Sequence, residues 1–123
     1  MSYNRCIFLG NMTRDVELKT LPGGTVVAEG GMATNRKWKA KDGSEREEVC
    51  FVDWIAFGHT ANSIHKWTSK GTAVLMEGRL CLDRWETHDG QKRSKHKITV
   101  DSYRLVGNKQ EQAPPQADED VPF

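Results

Sequence analysis

Five runs rich in apolar, β-branched and aromatic residues, with one stretch of helical spacing between the third and the fourth, leave this 123-residue chain few folds to choose from. The first run opens with residues 6–9, closes at Gly10-Asn11, and resumes as the alternating Val16-Glu17-Leu18-Lys19 before the turn Leu21-Pro22-Gly23-Gly24. Residues 26–34 form the second run, weakened by Gly30-Gly31; residues 49–57, 72–82 and 98–106 form the others. Over residues 60–70, Ala61, Ile64 and the Trp67/Thr68 pair fall at helical spacing, and Gly71 stands where a helix would end.

Five strands with one short helix between strands 3 and 4 is the plan of the OB-fold, a small, partly open all-β barrel whose helix plugs one end. The expected organisation is one such domain over residues 1–108, followed by a linker and tip over residues 109–123. A chain of this length has room for a single modest core.

Two long hairpins are expected to project from the barrel. One runs through Asn35-Arg36-Lys37-Trp38-Lys39-Ala40-Lys41-Asp42-Gly43-Ser44-Glu45-Arg46, the other through Asp83-Arg84-Trp85-Glu86-Thr87-His88-Asp89-Gly90-Gln91-Lys92-Arg93-Ser94-Lys95. Each carries an Asp-Gly turn at its tip and one tryptophan among several bases, where a large ring has no core to join. An exposed indole flanked by cations suits stacking on an unpaired base while the cations track phosphates. The cations in question are Arg36, Lys37, Lys39, Lys41, Arg84, Lys92, Arg93 and Lys95.

The overall charge of +1 hides an asymmetry, because residues 111–123 hold four acids and no base. All 18 bases therefore lie in residues 1–110, against 13 of the 17 acids. A basic body with an acidic arm suggests a polyanion ligand and a separate protein contact. The arm has no apolar periodicity, contains Pro114-Pro115, and is expected to be disordered. It ends in Asp118-Glu119-Asp120-Val121-Pro122-Phe123, where the aromatic ring can enter a small pocket while the acids and carboxylate meet basic side chains of a partner.

In these features the chain resembles the bacterial-type single-stranded DNA-binding proteins over nearly its whole length. The matching residues are Ile7-Phe8-Leu9-Gly10-Asn11 with Asp15 and Glu17, Ala33-Thr34-Asn35 leading to Trp38, and Ala56-Phe57-Gly58. Lys70-Gly71, Met76-Glu77-Gly78-Arg79-Leu80, the hairpin from Trp85 to Gly90-Gln91, and the Pro122-Phe123 tip complete the likeness. The resemblance implies a homotetramer around which single-stranded DNA wraps, with the tip docking DNA replication, recombination and repair enzymes. It also places Trp38, Phe51, Phe57 and Trp85 where that family has its stacking aromatics. Trp54, on the opposite strand face from Phe51, reads instead as core or subunit interface, and Trp67, on the helix, as a packing residue.

Several positions depart from the pattern of that family. Phe51 stands where a tryptophan is common, Val16 where a proline is frequent, and Val52 where a histidine often lies at the subunit interface. Asp53 occupies a position often basic in relatives, so this part of the groove is expected to repel phosphate somewhat. Gly30 replaces a bulky apolar residue, which should remove core volume and bend the second strand.

Other function classes find less support. His59, His65, His88 and His96 are scattered, Ser63 near His65 is a weak coincidence, and no Cys-x-x-Cys appears, so neither catalysis nor a metal or other cofactor is expected. An RNA-binding cold-shock-like module or a primosome adaptor is the nearer alternative. Cys6, Cys50 and Cys81, odd in number and widely spaced, fit a reduced cytoplasm. No membrane span or targeting segment is read from the sequence.

Overall fold

The computed structural model describes residues 1–106. The opening apolar run becomes β1 (Cys6–Met12), and the alternating segment after it is a separate strand, β2 (Glu17–Thr20). The next four strands are longer than their apolar stretches: β3 (Val26–Lys39), β4 (Glu45–Phe57), β5 (Ala73–Glu86) and β6 (Lys92–Leu105). The β3–β4 and β5–β6 pairs each run on from the barrel into a hairpin, the second past a bulge at Glu77/Gly78, because backbone pairing continues after the apolar residues have ended. A helix, α1 (Gly58–Trp67), joins β4 to β5.

The strands are ordered β1-β5-β6-β4-β3-β2, and β1 also pairs with β3 through Asn11↔Ala33 and Met12↔Met32. That contact closes five strands into a barrel and leaves β2 flanking β3, as the OB-fold plan requires. The seam between β4 and β6 is parallel and aligns Asp53↔Lys97, Trp54↔Ile98 and Ile55↔Thr99.

Alternation decides what lines the interior. Met32, Trp54, Val74, Met76, Ile98 and Tyr103 are fully buried, joined by Ala61 and Ile64 from α1, which covers the barrel end. Burying each large apolar side chain contributes about 1.5–3 kcal/mol. Inside this core the hydroxyls of Ser63 and Tyr103 share a short hydrogen bond, which satisfies both polar groups.

Two expectations are corrected here. The volume that Gly30 gives up is taken by Trp54, whose ring atom Cζ2 would lie 2.5 Å from a Cβ at that position. Pairing with β4 continues on either side of Gly30↔Trp54. The helix, too, stops before Gly71: at Thr68 the backbone turns extended, and its N–H and Oγ1 both donate to the Ile64 carbonyl at 3.1 and 2.7 Å. Gly71 instead donates its N–H to the Met12 carbonyl at 2.8 Å.

Candidate nucleic-acid interface

Period-two alternation along β4 turns Val52, Trp54 and Ala56 toward the core and Phe51, Asp53, Ile55 and Phe57 away from it. Trp54 is 1% exposed, whereas Phe51 is 72% and Phe57 44% exposed. Two phenylalanine rings thus lie on one outward face, and of the two readings of Trp54, core and subunit interface, the structure places it in the core. Trp67 is half-buried at the end of α1, with the Lys66 ammonium 5.1 Å from its ring centre.

Both hairpins have the same tip. In the first, the Ala40 N–H donates to Ser44 at 2.8 Å and the Gly43 N–H returns to Ala40 at 2.9 Å; in the second, Thr87 donates to Gln91 at 2.8 Å and Gly90 to Thr87 at 3.0 Å. Gly43 and Gly90 share a φ of 86°, so each loop is a three-residue turn closed by a left-handed glycine, not a two-residue Asp-Gly turn. The preceding aspartates brace these tips. Asp42 accepts from the Ser44 N–H and hydroxyl, and Asp89 from the Thr87 hydroxyl and Gln91 N–H, which holds both carboxyls below their ordinary range.

Neither hairpin tryptophan is enclosed: Trp38 is 38% and Trp85 45% exposed. Each faces an arginine across its strand pair, Trp38↔Arg46 and Trp85↔Arg93. Trp38 borders a cleft of about 490 Å³ with Lys37, Lys39, Arg46, Glu45 and Glu47; Trp85 borders one of about 570 Å³ with Arg84, Lys92, Arg93 and Glu86.

The register separates the two rings. Trp85 follows Asp83 and Cys81 on the face that pairs through Lys95 and Lys97 with Asp53, and so continues the outward face of Phe51 and Phe57. Trp38 follows Arg36, Thr34 and Met32, and so prolongs the inward face of β3 beyond the barrel rim. There the Arg36 guanidinium lies 4.5 Å over its ring centre, a cation–π contact.

Of the eight cations expected at the site, Lys37, Lys39, Lys41, Arg84 and Lys92 make no ion pair among the described residues, and Arg93 hydrogen-bonds only Gln91, at 3.0 Å. Arg36 is 3.9 Å from Glu48, and Lys95 is paired with Asp53. Sequence reasoning missed three further bases on this surface. Arg14 reaches Asp53 at 3.6 Å, Lys97 lies 3.8 Å from Glu29 and 3.2 Å from Asp83, and Lys19 meets Glu29 at 2.8 Å, which raises the lysine's pKa. Only the tertiary fold brings them together, and nothing in their local sequence announces it.

The Single-strand binding protein family matches residues 3–106, the whole barrel with both hairpins. The chain belongs to that family. A single-stranded DNA-binding protein of Wolinella succinogenes is 50% identical over 107 residues, covering 87% of this chain and 66% of the relative. One from Helicobacter hepaticus is 47% identical over the same length, covering 87% and 63%. The chain thus spans just under two-thirds of the length of these curated relatives.

Among solved structures, a Plasmodium falciparum SSB in complex with ssDNA superimposes with a TM-score of 0.77 at 22% identity, covering 86% of this chain and 95% of that one. A deletion mutant of the single-stranded DNA binding protein from Thermus aquaticus gives 0.76 at 21%, covering 87% and 52%. Both share the fold. The tip Asp118, Glu119, Asp120, Val121, Pro122 and Phe123 and the boundary at residue 108 lie outside the described residues. Among the described residues no group of three or more His, Cys, Asp or Glu side chains could hold a metal ion, and no helix is long and apolar enough to cross a membrane.

Proposed function

We propose that this protein binds single-stranded DNA with little regard to sequence, stacking unpaired bases on Phe51, Phe57, Trp85 and Trp38 while cations of both hairpins neutralise the backbone. The observation that carries this reading is the exposure of four aromatic rings on a barrel surface studded with unpaired bases. An aromatic with no core to join loses nothing by meeting a nucleobase, and each stacked base adds about 1–3 kcal/mol, a range for which this family is itself a standard example. Arg36, Lys37, Lys39, Lys41, Arg84, Lys92, Arg93 and Lys95 supply the phosphate contacts, whose strength falls with salt as counterions are released. Duplex DNA hides its ring faces and binds far more weakly.

The relatives' names, single-stranded DNA-binding proteins, support the ligand. Titration with oligo(dT) tests it: tryptophan fluorescence is expected to be quenched strongly, with no comparable change on adding duplex. An unquenched signal would remove the stacking reading. Competition between single-stranded DNA and RNA separates it from the cold-shock-like alternative.

The wider role we infer is protection of single strands during replication, recombination and repair in the cytoplasm, with processing enzymes recruited through Asp118 to Phe123. Removal of Phe123 is expected to leave DNA affinity intact or slightly higher while abolishing capture of those enzymes. A homotetramer is the proposed assembly, supported by Ile7 and Leu9, which stand exposed on β1 with no core to cover them. Light scattering with and without oligonucleotide tests that state.

A further inference from the structure

Asp53 is the anion at the centre of the proposed DNA surface. It stands between Phe51 and Ile55 on the outward face of β4, registered with Gly31 on β3 and Lys97 on β6. Two cations converge on it from different parts of the chain. Lys95, from β6, contacts Oδ2 directly, and Arg14, from the connection between β1 and β2, brings Nη1 to 3.6 Å from Oδ1. Arg14 reaches across β3 because position 31 has no side chain: a Cβ there would stand 2.5 Å from both Arg14 Nη1 and Thr13 Oγ1.

The arrangement differs from its neighbour. Lys97 is largely enclosed between Glu29 and Asp83, its side chain 17% exposed, and is bound into the sheet. Arg14 and Lys95 keep about half of their side-chain surface in water, at 47% and 50%, so a phosphate can reach both. A carboxylate and a phosphodiester are each monoanions that offer two oxygens to such donors. Burial alone would push the Asp53 carboxyl up, but the hydrogen bonds and charges of Lys95 and Arg14 outweigh it and hold it ionised below its ordinary range.

We propose that Asp53 acts as an internal stand-in for a DNA phosphate: it holds Arg14 and Lys95 in place in the free protein and yields them to the backbone when a strand binds. This rests on the single-stranded DNA reading and adds a specific consequence. Each cation surrendered leaves the carboxylate to recruit a cation from solution, which offsets part of the counterion release from the DNA. Affinity is therefore set below what the bases alone would give, and its salt dependence is shallower.

The test is Asp53→Asn in the full chain, titrated with oligo(dT) over a range of salt concentrations. Wild-type quenching is measured first, since its absence would sink the DNA reading and not this one. Given wild-type binding, Asp53→Asn is expected to bind about three- to tenfold tighter at low salt and to steepen the log–log salt slope by roughly 0.7 for each phosphate gained. Unchanged or weaker binding would overturn the proposal and make Asp53 a structural staple.

A double-mutant cycle guards against a general field effect. In an Arg14→Gln/Lys95→Gln background, the gain from Asp53→Asn is expected to vanish. If the same gain persisted there, the carboxylate would be acting at a distance rather than through these two cations, and the proposal would fail. Asp53→Ser, small and polar, should reproduce the gain if Asn itself perturbs the strand.

Discussion

The two hairpins share their tryptophan, their Asp-Gly tip and the spacing between them, yet they present their tryptophans to opposite faces of the sheet. Both have a left-handed glycine at the tip, an aspartate bracing the turn, and an arginine across from the indole. In the second, Trp85 lies in line with Phe51 and Phe57 and with the row through Lys95 and Lys97. In the first, Trp38 continues the inward face of β3 and has Arg36 over one side of its ring. Side-chain direction has a period of two, so the parity of a residue's distance from the barrel decides which face it joins. Similar local chemistry therefore gives one ring already aligned with the proposed groove and another that reaches it only through the coiling of a two-stranded ribbon.

The largest expected effect concerns the face that Trp85 shares. Phe51→Ala removes the most exposed of the four rings and is expected to weaken oligo(dT) binding by roughly 10- to 100-fold, following about 1–3 kcal/mol per stacked base, with little change in Tm. A large fall in Tm would instead show that the ring supports the barrel.

Next come the tryptophans themselves. Trp85→Ala is expected to cost about tenfold in affinity, and Trp38→Ala only a few-fold, since Arg36 occupies one face of the latter ring. Equal losses, or a greater loss at Trp38, would break the distinction and show that the first hairpin twists its inward face into the groove on binding.

Charge should not distinguish the hairpins. Lys37, Lys39 and Lys41 in one, and Arg84, Lys92 and Arg93 in the other, are free of ion pairs among the described residues. Replacing either trio with glutamine is expected to reduce the salt slope by up to about 2, near 0.7 per phosphate. A much smaller change for one trio would sharpen the contrast by showing which hairpin the backbone follows.

The smallest effects fall on the tips, where the hairpins are alike. Gly43→Ala and Gly90→Ala each force a side chain into a φ of 86° and are expected to destabilise their turns by about 1 kcal/mol, read by amide exchange at each tip. In acid both turns should loosen together. Asp42 and Asp89 have lowered carboxyl pKa values in the fold, so their contribution is complete above the unfolded value of 3.8 and is lost as pH falls through the lower folded one. Amide chemical shifts of Gly43 and Gly90 followed below pH 4 would show it, and a change confined to one tip would end the equivalence.

Much of this was legible along the chain. Apolar alternation gave the strands, helical spacing gave α1, and the aromatic and basic residues of the hairpins marked the candidate surface. Less legible were features that depend on residues far apart in sequence. Gly30 reads as a loss of volume until Trp54 is seen to fill it. Asp53 reads as a repulsive charge until Arg14 and Lys95 arrive from distant elements, and neither has a local signature that names its partner.

The amino-acid order by itself determined the strand-rich architecture, the paired hairpin tips and the acidic tip beyond them, because alternation, turn chemistry and composition act between near neighbours. Tertiary structure alone decided that Trp85 joins the face of Phe51 and Phe57 while Trp38 does not, which cations are free and which carboxylate holds the others, because register and barrel closure bring together side chains that the chain keeps tens of residues apart.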